Sequence, residues 1–238
     1  VDDEGFVDPD SLVAAIRDDT LLVSIIHGNN EIGTIQDLET LGVICRERDV
    51  LLHSDCAQSF GKVPLNMSEL PVDLASFNAH KMHGPKGVGA LYIRRGIKLR
   101  RYFEGSPQEH GVRPGTENVP GIIGFAKAAE IALSDMENVM PGVESLAKKL
   151  AEGILSIEHV RWNGPPIGPK RLPGNVNVTF RYIEGEAILM HLNLKGVMVS
   201  SGSACSSASL VPSHVLTAIG LYHEEAHGSI RYTLSRLN

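Results

Sequence analysis

Lys81 closes the run SFNAHK at residues 76–81, and Asp55 stands inside HSDCAQ at residues 53–58. Each follows an apolar run that reads as a strand, 50–53 before the aspartate and 72–77 before the lysine. A lysine amine can capture an aldehyde as a Schiff base, and a buried carboxylate can keep a ring nitrogen protonated. Pyridoxal 5'-phosphate needs both groups, so the pair reads as a candidate site for that cofactor. In open α/β sheets ligands lie outside the carboxyl ends of strands, where two strand ends can aim both groups at one molecule. Taken singly, each residue has a plainer reading. A lysine after an apolar strand is usually a solvated strand end, and an aspartate there is usually a turn or helix cap.

A third segment, far downstream, strengthens the chemical reading. Cys205 lies in SSGSACSS at residues 200–207, a stretch of small residues with a permissive backbone and nothing bulky beside the sulfur. Such a loop suits a mobile nucleophile. Its plain alternative is a flexible turn that holds an inert cysteine.

The elements that must position these residues alternate along the chain. Asp8-Pro9-Asp10 caps a helix with Leu12, Ala15 and Ile16 on one face, and residues 21–26 form a short buried strand. Residues 37–48 read as a helix leading into the strand that ends at His53. Strands ending at Phe77 and spanning 88–93 complete this half. Strands separated by helices imply βαβ units and a mostly parallel sheet. Residues 120–132 read as a helix, which Pro141-Gly142 interrupts before a second helix over 143–155. Strands near 160 and over 176–180, a helix over 185–192, and strands over 197–199 and 230–232 then form a smaller α/β module. The boundary falls near residue 137, giving units 1–137 and 138–238.

With 238 residues the chain can bury a large core, and its net charge of -6 gives no reason to expect nucleic acid or an anionic membrane surface. No apolar stretch is long enough for a bilayer span and no secretory signal opens the chain. The 3 cysteines, Cys45, Cys56 and Cys205, show neither metal spacing nor a disulfide framework, which favours a reducing, cytoplasmic compartment. The 10 histidines form no metal motif.

Together the segments resemble the cysteine desulfurases of the NifS and IscS type, which are fold-type I pyridoxal phosphate enzymes. The resemblance runs through HGNNEIG (27–33), HSDCAQ (53–58), AHK (79–81), GPKGVGALY (84–92), RPGTEN (113–118), SSGSACSS (200–207) and SIR (229–231), in the family's order and with similar spacing. It covers essentially the whole chain, whereas the chain covers only part of the family. The resemblance implies a fold-type I α/β architecture: the C-terminal part of the large cofactor-binding domain, with a mostly parallel sheet, plus a smaller α/β domain.

It also implies roles. Lys81 would hold the cofactor and move protons, Asp55 would face the ring nitrogen, Gln58 the ring hydroxyl, and His80 and Asn78 the phosphate. Asn30 and Arg231 would fix the substrate carboxylate, and Asn30 would also touch the cofactor. Thr116 would reach the phosphate held by a neighbouring subunit, which makes the active form a homodimer. Cys205 would take sulfur from L-cysteine as a persulfide, leaving alanine, and its loop resembles the long, mobile form that passes sulfur to an iron-sulfur scaffold or other acceptor protein for cluster assembly or tRNA thiolation.

Three positions depart from the family pattern. Asn78 stands where Ser or Thr is usual, Cys56 replaces a common Ala, and residues 105–109 carry Ser and Pro where a glycine-rich turn is common. Family members also begin with a further N-terminal segment that supplies a phosphate clamp and a ring-stacking histidine, so a complementary N-terminal segment is expected as a partner for activity. Selenocysteine lyase is a close variant on the same scaffold. A catalytically silent fragment that binds sulfur-acceptor proteins is the non-enzymatic alternative.

Overall fold

A computed structural model describes residues 1–201 and 211–238. The first half contains α1 (Pro9–Ala15), β1 (Leu22–Ile26), α2 (Leu38–Glu47), β2 (Leu51–Asp55), β3 (Leu74–Asn78), a 3₁₀ turn (Ala79–Met82) and β4 (Gly89–Ile93). Both helices start at aspartate caps: Asp8 accepts from the Ser11 N–H and Asp37 from the Thr40 N–H. Their apolar faces bury Leu12, Leu38, Leu41 and Cys45 against Leu52, Val72 and Ala75 of the sheet side. Each such large side chain contributes about 1.5–3 kcal/mol on leaving water.

The strand order is β1-β2-β3-β4; the first three run parallel and β4 returns antiparallel. The sheet is therefore mixed and mostly parallel, as the βαβ pattern implies. Ile26 pairs with Asp55 and Asp55 with Ser76, so the carboxyl ends of three strands share one edge. β2 runs on to Asp55, two residues past His53, because the backbone stays in register with both neighbours.

The second half begins with α3 (Val119–Leu155), followed by β5 (Val160–Trp162), β6 (Asn175–Phe180), α4 (Gly185–Leu194), β7 (Ser200–Ser201), α5 (His214–Ala218), α6 (His223–His227) and β8 (Ser229–Thr233). Its sheet has the order β5-β6-β8-β7 and is antiparallel at every pairing. Ala147, Ala151 and Ile154 of α3 pack on Val176 and Val178 of β6.

Besides β1, which lies at the sheet edge with Leu22 and Ile26 each 45% exposed rather than buried, two sequence expectations are corrected. Pro141-Gly142 does not divide the helix: α3 is one helix of 37 residues with Pro141 inside it. A proline there costs about 3 kcal/mol. Burial at both ends outweighs it, through Phe125 and Ala132 against Ala79 and Met82 on one side and the β6 contacts on the other. Pro141 and Gly142 are themselves exposed, so the ring meets solvent rather than core. Second, the apolar run 197–199 is not a strand. Pairing to β8 starts only at Ser200, opposite Arg231, and Met198 is largely exposed. Strand propensity without a partner ladder does not form a strand.

The two sheets meet at Arg171, which is buried and donates to the carbonyls of Asn163, Pro165 and Asn175 and to the Asn175 side chain. Its guanidinium also lies over Trp162, 4.1 Å from the ring centre. Asn175 and Asn177 in turn each donate to the Glu31 carbonyl at 3.0 Å, across from the first half. Gly33 lies at this joint with φ +79, and a Cβ there would sit 2.8 Å from the Asn175 side chain. Only glycine allows the approach. Arg171→Leu leaves several buried carbonyls unpaired, and we expect a loss of about 3–5 kcal/mol in urea unfolding. A loss below about 1 kcal/mol would mean that the joint is held by packing alone.

Candidate active site

At the carboxyl end of β2, Asp55 is half-buried and its Oδ1 accepts the Ala57 N–H at 2.9 Å. The chain then winds through tight turns from Cys56 to Val63, in which Phe60 bonds back to Cys56, and Lys62 and Val63 bond back to Ser59. Gly61, with φ +74, brings this turn against α3: a Cβ would lie 2.9 Å from that of Ala132. His27 pins the turn from the end of β1. Its backbone N–H donates to the Asp55 carbonyl at 2.9 Å, and its Nδ1 pairs with the Ser59 hydroxyl at 2.8 Å. Burial pushes the His27 pKa down to about 4, so the ring is neutral at pH 7.

Lys81 sits in the 3₁₀ turn directly after β3. Asn78 starts this turn by accepting the His80 N–H on its Oδ1 at 3.1 Å, which leaves its Nδ2 as the donor. Buried Ala79 and Met82 anchor the turn, while His80 and Lys81 remain exposed.

From the second half, Arg231 of β8 donates from Nη1 to the Asn30 carbonyl at 2.9 Å, and its Nε is buried without a partner. Asn29 shapes the Asn30 turn by accepting the N–H groups of Glu31 and Ile32. Glu31 is buried and accepts the Ser213 hydroxyl at 2.6 Å. Burial raises its pKa, against the opposing pull of the Ser213 hydrogen bond and the Arg231 charge.

A cleft of about 440 Å³ collects these groups. Asn30, Gln58, His80, Lys81 and Arg231 all line it. Asp55 and Asn78 stand at the neighbouring strand ends without lining the cleft, and Thr116 is exposed on the loop before α3. Cys205 and its loop lie outside the described residues.

Sequence reasoning missed three parts of the cleft. One is the apolar wall supplied by α3, with Ile131, Val139 and Val143. Another is the Asp135–Arg236 ion pair at 2.7 Å. The third is Lys62, whose Nζ donates to Gln58 Oε1 at 3.1 Å. The spacing of four between Gln58 and Lys62 in a tight turn was the available signal.

The class-V aminotransferase family model matches residues 1–238. The chain belongs to the class-V aminotransferase family. This is a family of pyridoxal phosphate-dependent enzymes. The chain is 53% identical over 235 residues to the cysteine desulfurase IscS of Dictyoglomus turgidum, covering 98% of this chain and 59% of that protein. It is 50% identical over 238 residues to the IscS of Methanosarcina thermophila, covering 100% of this chain and 58% of the relative. The solved structure of the NifS-like protein from Rickettsia africae superposes with a TM-score of 0.91 at 33% identity, covering 100% of this chain and 64% of the other. This class-V chain thus spans somewhat under two thirds of the length of the relatives it matches, and it shares the NifS-like α/β fold.

The residues present fit the family's cofactor. An exposed lysine amine, an amide and an imidazole line a cleft of a volume usual for small ligands, and a strand-end carboxylate stands close in the fold. Among the described residues there is no cluster of His, Cys, Asp or Glu able to hold a metal, and no helix is long and apolar enough to cross a membrane.

His27 makes the support of the turn pH-dependent. Its folded pKa of about 4 lies below the ordinary 6.5, so between those values the unfolded chain binds the extra proton. Stability is therefore lost as pH falls through this window, and regained as it rises. We expect about 2 kcal/mol more loss between pH 7 and pH 5 in the native protein than in His27→Gln, measured by urea unfolding. Parallel pH profiles for the two proteins would remove His27 from this role.

Proposed function

We propose that the protein is a cysteine desulfurase, moving sulfur from L-cysteine onto Cys205 and leaving alanine. The carrying observation is the convergence of Gln58, His80 and Lys81 from the parallel sheet with Asn30 and Arg231 on one cleft. The similarity to two IscS proteins at half identity supports the same reading. When bound, pyridoxal phosphate supplies an electron sink that weakens bonds at the carbon bearing the amino group.

The protein's residues divide the remaining work. Lys81 is exposed and lines the cleft, where its Nζ would hold the cofactor and then shuttle a proton at the substrate carbon. Asp55, at the neighbouring strand end, would keep the ring nitrogen protonated, and Gln58 would meet the ring hydroxyl. His80 and the Nδ2 of Asn78 would hold the phosphate. Arg231 offers a planar fork to the substrate carboxylate beside Asn30. Thr116, exposed on the loop before α3, would reach the phosphate held by a second subunit, which makes a homodimer the working form of this proposal. We place the division between the cofactor unit (1–137) and the smaller unit (138–238) near residue 137, within α3.

The Cys205 thiolate would attack the sulfur of L-cysteine; the carbon–sulfur bond breaks with its electron pair left on the β-carbon, which takes a proton to give alanine, and the sulfur stays on Cys205 as a persulfide. The acceptor must be a thiolate, with an ordinary cysteine pKa of about 8.5. Burial pushes the Cys56 thiol up to about 11 and raises that of Cys45, which removes both from the role. A cytoplasmic, reducing setting and a sulfur-acceptor or iron-sulfur scaffold protein as the onward partner complete the proposal.

Borohydride reduction of the complete protein loaded with pyridoxal phosphate, followed by peptide mapping, should label Lys81. Lys81→Ala should lose the label while keeping its fold, and a label on Lys62 would reverse the assignment. Mass spectrometry after incubation with L-cysteine should find an added sulfur on Cys205 in Cys56→Ala and none in Cys205→Ser. A persulfide that survives Cys205→Ser would sink Cys205 as acceptor.

A further inference from the structure

Gln58 faces the cleft through a side-chain amide whose two ends have opposite hydrogen-bonding character, an oxygen that only accepts and a nitrogen that only donates. Which end meets a ligand decides what ligand group can sit there. Lys62 stands four residues on in the same turn, lines the same cleft, and its Nζ lies 3.1 Å from Gln58 Oε1. We propose that Lys62 is a positioning residue that locks the Gln58 amide with its oxygen turned away, so that only N–H is presented to the ligand. This rests on reading the cleft as a pyridoxal phosphate site, where the facing group is the ring oxygen, an acceptor.

The chemistry of the pair enforces one orientation. Burial, and after it the positive charge of Lys81, push the Lys62 pKa down to about 8. The amine is therefore still mostly protonated at pH 7, and an ammonium has no lone pair with which to accept from the amide nitrogen. The opposite rotamer of Gln58 would turn two N–H donors toward an ammonium. A free glutamine on a cleft wall has no such restriction and presents either end.

The turn makes this arrangement stiff. Gly61 packs against α3 where no side chain could fit, and the Lys62 N–H is bonded to the Ser59 carbonyl at 3.0 Å. Ser59 is in turn held by His27. Lys62 thus reaches Gln58 from a fixed backbone, and the amide is oriented before any ligand arrives. Preorganisation of this kind strengthens binding without adding a contact to the ligand.

The test is binding of pyridoxal phosphate itself to the stripped complete protein, followed by fluorescence titration and by the visible spectrum of the bound cofactor. Lys62→Met should weaken binding roughly 3- to 10-fold, the size of one well-placed neutral hydrogen bond, and should alter the visible band because the ring oxygen loses its donor. Lys62→Arg, which still donates, should restore both. In a Gln58→Ala background Lys62→Met should change affinity by less than about 1.5-fold, because the residue acts through the amide.

A purely structural lysine would cost the same in both backgrounds. That result, or unchanged affinity and spectrum in Lys62→Met, overturns the proposal, as does a Lys62→Met protein that fails to fold. Removing a desolvated ammonium should not lower the melting temperature of the stripped protein. Wild-type protein that takes up no pyridoxal phosphate defeats both this proposal and the functional reading. Normal cofactor binding with the expected double-variant pattern but no release of alanine from L-cysteine defeats only the functional reading.

Discussion

Arg171 carries its charge inside the protein with no carboxylate paired to it among the described residues, and the union of the two sheets is organised around that constraint. A buried guanidinium must find acceptors in a plane, and here they are backbone carbonyls of the 163–175 segment and the Asn175 side chain. Because Asn175 is spent on Arg171 through its oxygen, its amide nitrogen is directed at Glu31, and Asn177 follows to the same carbonyl. The Asn30 turn is thereby fixed beside β8. That link works with the Thr34–Arg171 bridge and the backbone bonds from Ile35 to Lys170 and from Leu172 to Gly33 to set the second sheet against the first, since β1 to β4 and β5 to β8 share no strand pairing.

The long helix α3 closes the same joint from the other side. Its first half packs on the turn that carries Lys81 and its second half on β6, so a single rigid element spans the gap that the cleft occupies. The cleft wall is consequently apolar along α3 and polar along the strand ends and β8. That division suits a ligand with an aromatic body and charged edges. Burial also sorts the sulfur chemistry. Cys56 is fully enclosed next to Asp55, and its raised pKa keeps it protonated where a thiolate would compete for an aldehyde or an oxidant.

Local signals in the sequence were enough for most elements of the first half. The helix read over 37–48 matches α2 to within a residue at each end, because amphipathic period and capping act over one or two turns. The same reasoning failed at Pro141, where packing at two distant ends overrode a local breaker, and at 197–199, where an apolar run found no ladder to join. Both failures have one cause: the deciding energy came from residues far away in sequence. Lys62 escaped notice for a related reason, since a lysine after a glycine reads as solvent-facing until the turn folds it over Gln58.

The sequence by itself determined the residue chemistry and the family: a lysine and a carboxylate at the ends of two adjacent strands, an arginine near the end of the chain, and motif blocks in a shared order. Residue types and short-range periodicity are properties of the chain alone. Only the tertiary structure decided that Asn30, Gln58, His80, Lys81 and Arg231 face one cleft, that Asp55 and Asn78 stand outside its lining, and that an ammonium is held against Gln58. Those outcomes depend on close packing of parts up to 201 residues apart, as in the bond from Arg231 to Asn30, and no local pattern encodes such a distance.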